Sequence, residues 1–423
     1  MKFTFHGGAN EVGRSCIEME TGKGTFLFDC GIKVTPEGLV YPKKMDDLND
    51  VKAVFLSHAH LDHTGALPMF KHSGSKAKIF CTKATARISD VLLNDSYQVD
   101  LIKHNHPAYT KFDIKSVEDQ MVFVQFRKDY SELGLDFEFF NSGHIPGASS
   151  IRVNVDGMNV LYTGDINTQE TYLVKAADTN YGQVDTMIVE ATYGNRDHDE
   201  RHVVEDKFIT SILNALRKGG SVVIPVFGVG RAQEILMLLA KHTFDVPIYV
   251  DGMARKVTNL IVTNSSNLAD PFKVRNSYNA AREVRNEGMR EMVMKKRGIF
   301  ITTSGMIEGG PVMSYMKRFH NDEHSVVLLT GYQCEGTNGR LLLETGFAFI
   351  EGMKIKVKMN VEKFDFSAHA GKTQLHDLVK KVKPRTLIIQ HGDPEAIKDF
   401  GEWCRKNTSS KVYMPNVGDS IEL

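Results

Sequence analysis

An α/β protein with two cores, one unit set into the other, is the fold class predicted by this sequence of 423 residues. Three observations predict it. They are β-rich runs between glycine turns up to about residue 195, a regular strand and helix alternation from Glu200 onward, and a return after Asn360 to strand, helix and apolar strand. With 42% hydrophobic and 25% charged residues, the composition is that of a globular chain long enough for two conventional cores.

In the first part the expected strands are Phe3 to Phe5, Thr25 to Phe28, Ala53 to Leu56, Lys78 to Phe80, Met121 to Phe126, Phe137 to Phe140, Ile151 to Val155, Asn159 to Tyr162 and Thr186 to Val189, with few helices between them. Further on, Val203, Val204, Phe208, Ile209, Ile212, Leu213 and Leu216 fall on one helical stripe that Gly219-Gly220 end, and a buried strand, Ser221 to Val226, follows. Gln233 to Lys241 and Arg282 to Lys296 read as helices, Pro247 to Val250 and Gly298 to Thr302 as strands, so the second sheet system is mostly parallel. The last stretch holds a helix from about Thr373 to Val382 and an apolar strand, Thr386 to Gln390, that ends in a histidine.

Charge excludes a globally basic nucleic-acid binder, because Lys plus Arg and Asp plus Glu are equal at 52 each. Any polyanion site is therefore local. The start, MKFTFHGGANEVG, has no signal-peptide core, and no run of about 18 uncharged apolar residues occurs, so a soluble, cytoplasmic protein without membrane contact is expected. Cys16, Cys30, Cys81, Cys334 and Cys404 are scattered without CxxC spacing and read as reduced, structural thiols.

The strongest chemical signal is Ser57-His58-Ala59-His60-Leu61-Asp62-His63, three imidazoles and a carboxylate directly after the apolar run Val54-Phe55-Leu56. Imidazole and carboxylate are zinc-type ligands. A loop leaving a strand turns His58 and His60 toward one ion while Asp62 and His63 reach a second, about 3.5 to 4 Å away in two-metal sites. A solvated polar loop would hardly concentrate four ligand-type side chains in this way.

Four ligands do not close two shells, and three other strand ends offer more. His144 lies in Ser142-Gly143-His144-Ile145-Pro146-Gly147-Ala148, a turn held by glycine and proline. Asp165 follows Val160-Leu161-Tyr162 in Thr163-Gly164-Asp165, and His391 follows Leu387-Ile388-Ile389-Gln390. Each alone reads more readily as a turn or capping residue; the first motif promotes all three.

The series HxHxDH, GHxPGA and TGD resembles the metallo-β-lactamase superfamily, over about residues 1 to 195 and 360 to 423. The resemblance implies an αββα sandwich and two Zn2+ per chain: His58, His60 and His144 on one ion, Asp62, His63 and His391 on the other, and Asp165 bridging both. It also implies that Asp29, in Phe28-Asp29-Cys30-Gly31, orients a ligand histidine.

The superfamily spans lactamases, thioesterases, lactonases and nucleases, so the insertion decides the substrate. Glu190-Ala191-Thr192-Tyr193-Gly194, Pro225 to Arg231, Thr302 to Met306 and Gly331 to Thr337 form an ordered series that resembles the β-CASP branch of nucleic-acid hydrolases. Within that branch the chain is similar to archaeal cleavage-and-polyadenylation-factor-like and RNase J-like ribonucleases. The implied division is a metallo-β-lactamase domain from residues 1–197 and 361–423, with an α/β β-CASP domain inserted at 198–360.

The branch's extra motifs map onto Glu190, His369 in Phe366-Ser367-Ala368-His369-Ala370, and His391; a histidine at the third resembles the RNA-acting subset. Implied is RNA phosphodiester hydrolysis by a hydroxide held between the metals, endonucleolytic or 5′-to-3′ exonucleolytic. Asp62, Glu190 and His369 are its catalytic residues, with His369, supported by Glu190, protonating the leaving group. Single-stranded RNA, and a homodimer or an RNA-processing complex, are the expected partners.

Arg231, Ser304, Gly336, Thr337 and Ser367 are candidate RNA contacts, and Arg340, Lys354, Lys356, Lys358 and Lys363 add local positive charge. His6, His72, His104, His106, His198, His202, His242, His320, His324 and His376 match no motif and read as surface or core. Two other classes compete. A small-ester or thioester hydrolase would need no insertion of this size, and a non-catalytic scaffold subunit would typically lack metal ligands that this chain keeps.

Overall fold

The computed structural model describes all residues except 36, 37, 49, 105 and 106 and the side chains of 46, 47, 103 and 104; His106 and the His104 side chain thus lie outside the described residues. Two seven-stranded sheets face each other. In the first, Ser420–Glu422, Lys2–Gly7, Cys16–Thr21, Gly24–Phe28, Val51–Phe55, Lys78–Thr82 and Met121–Val124 lie side by side in that order. The second runs Lys411–Tyr413, Thr386–Gln390, Thr186–Glu190, Met158–Tyr162, Ser149–Val155, Leu135–Asn141 and Asp129–Glu132.

Alternation explains the layers. Phe3, Phe5, Ile17, Phe26, Phe28 and Phe55 point inward against Phe137, Ile151, Val160, Tyr162, Ile188 and Ile388 of the other sheet, forming the core between the sheets. Leu27, Val54, Leu56 and Ile79 point outward under Leu67, Phe70 and Leu93, and Met187, Val189, Leu387 and Ile389 under Leu375, Val379, Ile397 and Phe400. Central strands are therefore buried on both faces and read as continuous apolar runs. Helices cover both outer faces, giving the αββα sandwich.

Phe55 sits at the middle of the inner core, its ring 5.1 Å from that of Phe137, 5.7 Å from Phe80 and 5.8 Å from Phe28. Phe55→Ala is expected to cost about 3–5 kcal/mol of unfolding free energy, read as a lower urea midpoint. An unchanged midpoint would mean the inner core is not the cooperative unit.

Few helices were expected in the first part, and the structure corrects this: Lys83–His104 and Lys111–Asp119 are helical. The first shows no single apolar stripe because it packs on two cores at once, Ala86 and Leu93 on the sandwich and Ala84, Ile88 and Leu92 on the insert. The second starts at a reciprocal cap in which Thr110 accepts from the Asp113 N–H. The helix expected from Arg282 to Lys296 is also corrected. Arg282–Val284 is an edge strand beside Ile248–Asp251, and Asn286 caps a shorter helix, Glu287–Val293.

The insert is built on an entirely parallel six-stranded sheet: Arg282–Val284, Ile248–Asp251, Ile299–Thr302, Val222–Pro225, Val326–Leu329, Asn360–Lys363. Asn360–Lys363 pairs with Val326–Leu329, so a boundary at residue 360 cuts through a strand. The loops at the carboxyl ends of these strands carry the motifs Pro225 to Arg231, Thr302 to Met306 and Gly331 to Thr337, where open parallel sheets expose ligand-binding groups. A continuous apolar seam of Ala59, Ile145, Ala148, Val229, Met237, Val257 and Ile261 joins the insert to the loops that carry His58 and His144.

Candidate metal centre

The Asp29 carboxylate organises the first loop. It lies fully buried at a left-handed backbone position (φ 58°) and accepts the Ser57 N–H, the Ser57 hydroxyl, the Tyr162 hydroxyl at 2.6 Å and the His63 Nδ1–H at 2.6 Å. With Nδ1 committed, His63 turns Nε2 into the cluster, where it is buried without a hydrogen-bond partner among the described residues. Gly31 is required beside it, since a Cβ there would stand 1.8 Å from the Asp62 carbonyl oxygen.

Seven candidate ligands converge. His60 Nδ1 is 3.2 Å from both His58 Nε2 and His144 Nε2. Asp165 Oδ2 is 3.6 Å from each of the latter two, while its Oδ1 is 3.4 Å from His63 Nε2 and 3.3 Å from His391 Nδ1. Asp62 Oδ2 stands 3.5 Å from His391 Nε2 and 3.9 Å from His63 Nε2. The His144 tautomer is set from behind, its Nδ1–H donating to the Ala368 carbonyl at 2.9 Å.

These residues fit a metal ion better than they fit each other. Three imidazole nitrogens meeting at 3.2 Å cannot all donate, yet ligands about 2.0–2.1 Å from a tetrahedral ion lie about 3.3 Å apart. Burial, reinforced by neighbouring imidazoles, holds His58 and His144 well below the usual histidine range, and burial lowers His60, so all three favour the neutral, ligating form. At His63 burial acts the same way but is outweighed by Asp165, Asp29 and Asp62, which raise it well above that range. Asp165 is held well below the carboxylate range: burial opposes this, and His391, His63 and His369 overcome it. Carboxylates packed this closely demand positive charge, and Asp165 Oδ1, like His63 Nε2, is buried without a partner among the described residues.

Beside the cluster stand His369 and Glu190. The His369 Nδ1–H donates to Glu190 Oε1 at 2.9 Å and Oε2 at 3.0 Å, and its Nε2 lies 3.9 Å from Asp165 Oδ2. Glu190, fully buried, also accepts the Ile166 and Thr192 N–H groups, so its position is fixed. Burial alone would lower the imidazole's pKa; Glu190 and then Asp165 outweigh it and raise it to about 9.

Several neighbours escaped the sequence reading. Tyr162 was read only as the end of a strand, and His198, set aside above, contacts the site: its Nε2–H donates to the His369 carbonyl at 3.1 Å and its Nδ1 faces Asp365 at 3.2 Å. The Tyr193 ring is 4.5 Å from that of His198 and 6.0 Å from that of His369, and the Arg196 guanidinium lies 4.8 Å from its centroid. Of the other set-aside histidines, His6 pairs with Glu18, His72 with Asp113, and His376 stacks on Trp403 at 3.5 Å. The cysteines are free; only Cys334 is not buried, and it feels the charge of Asp62 and Asp393.

Among the candidate RNA contacts, Ser367 adjoins the site, its hydroxyl accepting the His369 N–H. Ser304 accepts the Glu308 N–H in the loop after Ile299–Thr302. Gly336 and Thr337 line a separate cavity of about 400 Å³ with Glu308, Glu335 and Arg340, where the Thr337 hydroxyl accepts the Arg340 N–H as a helix cap. Lys354 and Lys356 lie on the hairpin Phe347–Ile350 and Met353–Lys356.

Tyr162→Phe removes one charge-assisted donor to Asp29 while keeping the ring that packs 5.0 Å from Phe28. Metal affinity, titrated against a chromophoric chelator, is expected to fall about tenfold with folding intact. Unchanged affinity would mean that Ser57 and His63 alone fix the carboxylate.

Residues 9–223 match the metallo-β-lactamase superfamily, 232–342 the β-CASP domain, and 354–415 the zinc-dependent metallo-hydrolase RNA specificity domain. The chain is 38% identical to a probable RNase, MJ4, of Methanocaldococcus jannaschii over the full length of both. It is 32% identical to RNase aCSPSF2 of Saccharolobus solfataricus, over 99% of this chain and 84% of that one. It is also 28% identical to cleavage and polyadenylation specificity factor subunit 3 of Dictyostelium discoideum, over 100% of this chain and 57% of the other. A solved structure of a protein of unknown function from Enterococcus faecalis shares the fold, with TM-score 0.62 and 15% identity over 100% of this chain and 99% of that one.

Proposed function

We propose that this chain, which belongs to the β-CASP branch of the metallo-β-lactamase superfamily, hydrolyses RNA phosphodiester bonds with two bound zinc ions. The family and its relatives, named as ribonucleases, make it a metal-dependent ribonuclease. No helix among the described residues is long and apolar enough to cross a membrane.

One observation carries the finer reading: Asp165 offers one oxygen to His58 and His144 and the other to His63 and His391. This arrangement would give two ion seats sharing one carboxylate, in which His58, His60 and His144 would hold one ion and Asp62, His63 and His391 the other. Zinc, when bound, supplies Lewis acidity at the phosphoryl oxygens and an activated water. The division that serves this chemistry is a sandwich of residues 1–197 and of those after the strand Asn360–Lys363, clamped by the insert.

The protein's own groups do the rest. Glu190 holds the His369 ring through Nδ1, leaving Nε2 toward Asp165 and the reacting phosphate. In its protonated form that nitrogen gives its proton to the departing oxygen. Ser367 and Ala368 fix the segment that carries the ring, through the bonds to the His369 N–H and to His144. A recess so buried favours a single strand, which can bend one phosphodiester inward.

The test is cleavage of one RNA, labelled at either end and carrying 5′ monophosphate, triphosphate or hydroxyl, by zinc-loaded and chelator-stripped protein, with bound zinc counted. Internal fragments from all three RNAs, lost on stripping, give an endonuclease; mononucleotides released with 5′-end dependence give a 5′-to-3′ exonuclease. No cleavage with two zincs bound would leave the scaffold role standing in its place.

A further inference from the structure

We propose that Arg231 and Arg196, with Lys363 beside them, seat the RNA phosphate adjacent to the scissile one on the leaving-group side, where His369 stands. The inference rests on the RNA-hydrolysis reading and names the part of the strand that is held where the insert meets the sandwich.

Arg231 opens the helix Arg231–Leu239 at the carboxyl end of Val222–Pro225. The preceding Gly230 comes so close to the sandwich that a Cβ there would lie 3.0 Å from Ile145, the neighbour of the candidate ligand His144. Its Nε is buried with no hydrogen-bond partner among the described residues. The acids around it are engaged elsewhere. Glu234 accepts from Arg201 at 2.7 Å and from the N–H groups of Tyr172 and Leu173, and Asp365 faces His198 at 3.2 Å and accepts the Ser367 N–H at 3.1 Å. Burial and the nearby Arg201 lower the Arg231 pKa to about 10, the mark of a cation short of counter-charge.

Arg196 continues the row. Its guanidinium lies 4.8 Å from the Tyr193 centroid, and the His369 ring lies 6.0 Å from the same centroid, so Arg196 and the candidate proton donor border one aromatic ring. The Arg196 side chain is 55% exposed and only 3.7 Å from an Asp365 already shared with His198. Lys363 is within electrostatic reach of Arg196 and Asp365. Toward Asp62, Arg14 and Lys33 share one carboxylate, Glu11, at 2.6 and 3.0 Å, so each is engaged by a close ion pair. Cations without a close ion pair of their own, Arg231 and Arg196, thus stand on the His369 side, in a protein of formal net charge zero.

The experiment maps the cleavage position in one RNA. It then replaces the single phosphate next to it, on either side, with a neutral methylphosphonate at a 2′-deoxynucleotide, against the 2′-deoxy phosphate control. Wild type is expected to lose about tenfold in kcat/KM when the leaving-side phosphate is neutral. Arg231→Gln and Arg196→Gln are expected to lose a similar factor on charged RNA and little more on the neutral one. Arg285→Gln, just past the far edge strand Arg282–Val284, is expected to change neither. Additive losses, or the same pattern for the phosphate on the opposite side, overturn the seat. Anisotropy binding separates the two readings: additive Kd values with cleavage overturn the seat and keep the ribonuclease, whereas without cleavage a series of RNAs, each neutral at one successive phosphate, that is non-additive with Arg231→Gln and Arg196→Gln at one position overturns the ribonuclease and keeps a phosphate seat at these arginines.

Discussion

Asp165→Ala is expected to lose both metal ions and RNA cleavage together, with activity down by at least about a thousandfold. The carboxylate is 2% exposed and touches both halves of the cluster, so truncation opens each seat at once. It also strips negative charge from six imidazoles, His58, His60, His63, His144, His369 and His391. His63 and His391 then hold protons less readily, but without the shared oxygen neither seat is closed. The measurements are zinc per chain by mass spectrometry, cleavage of a labelled RNA and circular dichroism for the fold. Two zincs per folded Asp165→Ala chain would show that the carboxylate does not join the seats.

How far the site could be read from sequence follows the range of its contacts. Within Ser57 to His63 four ligand types are local, so their pattern is visible as text. His144, Asp165 and His391 follow apolar strands, which is why strand ends could be searched for them. Tyr162 was hidden because its inward position is what any core aromatic occupies; its partner Asp29 lies 133 residues away. His198 reaches the His369 carbonyl across 171 residues and belongs to no motif.

The fold shows the same division. Strands with one apolar face were found because alternation is local, whereas Lys83–His104 was missed because its apolar residues are shared between two cores. The expected helix from Arg282 broke at Asn286, whose side chain caps the Met289 N–H, a choice made by pairing with Ile248–Asp251. Contacts between segments distant in the sequence decided both cases.

His369→Ala is expected to keep both zincs and lose turnover by about 10²- to 10⁴-fold, the range of a missing general acid. His369 belongs to neither ligand set, His58, His60 and His144 or Asp62, His63 and His391, so metal content and fold should survive. The pH profile gives the independent readout. The acid form of His369 is the charged one, and Glu190 and Asp165 together with burial set its pKa at about 9. Rate should therefore fall as pH rises through that value, because the proton to be donated is lost. The ion pair with Glu190 likewise stabilises the fold fully below about 6.5, the unperturbed value, and is lost as pH climbs toward 9. Glu190→Gln removes the largest stabiliser of the proton, and its descending limb should move to lower pH; in His369→Ala that limb should vanish. A His369→Ala enzyme with full turnover and the wild-type alkaline limb would assign the proton to another group.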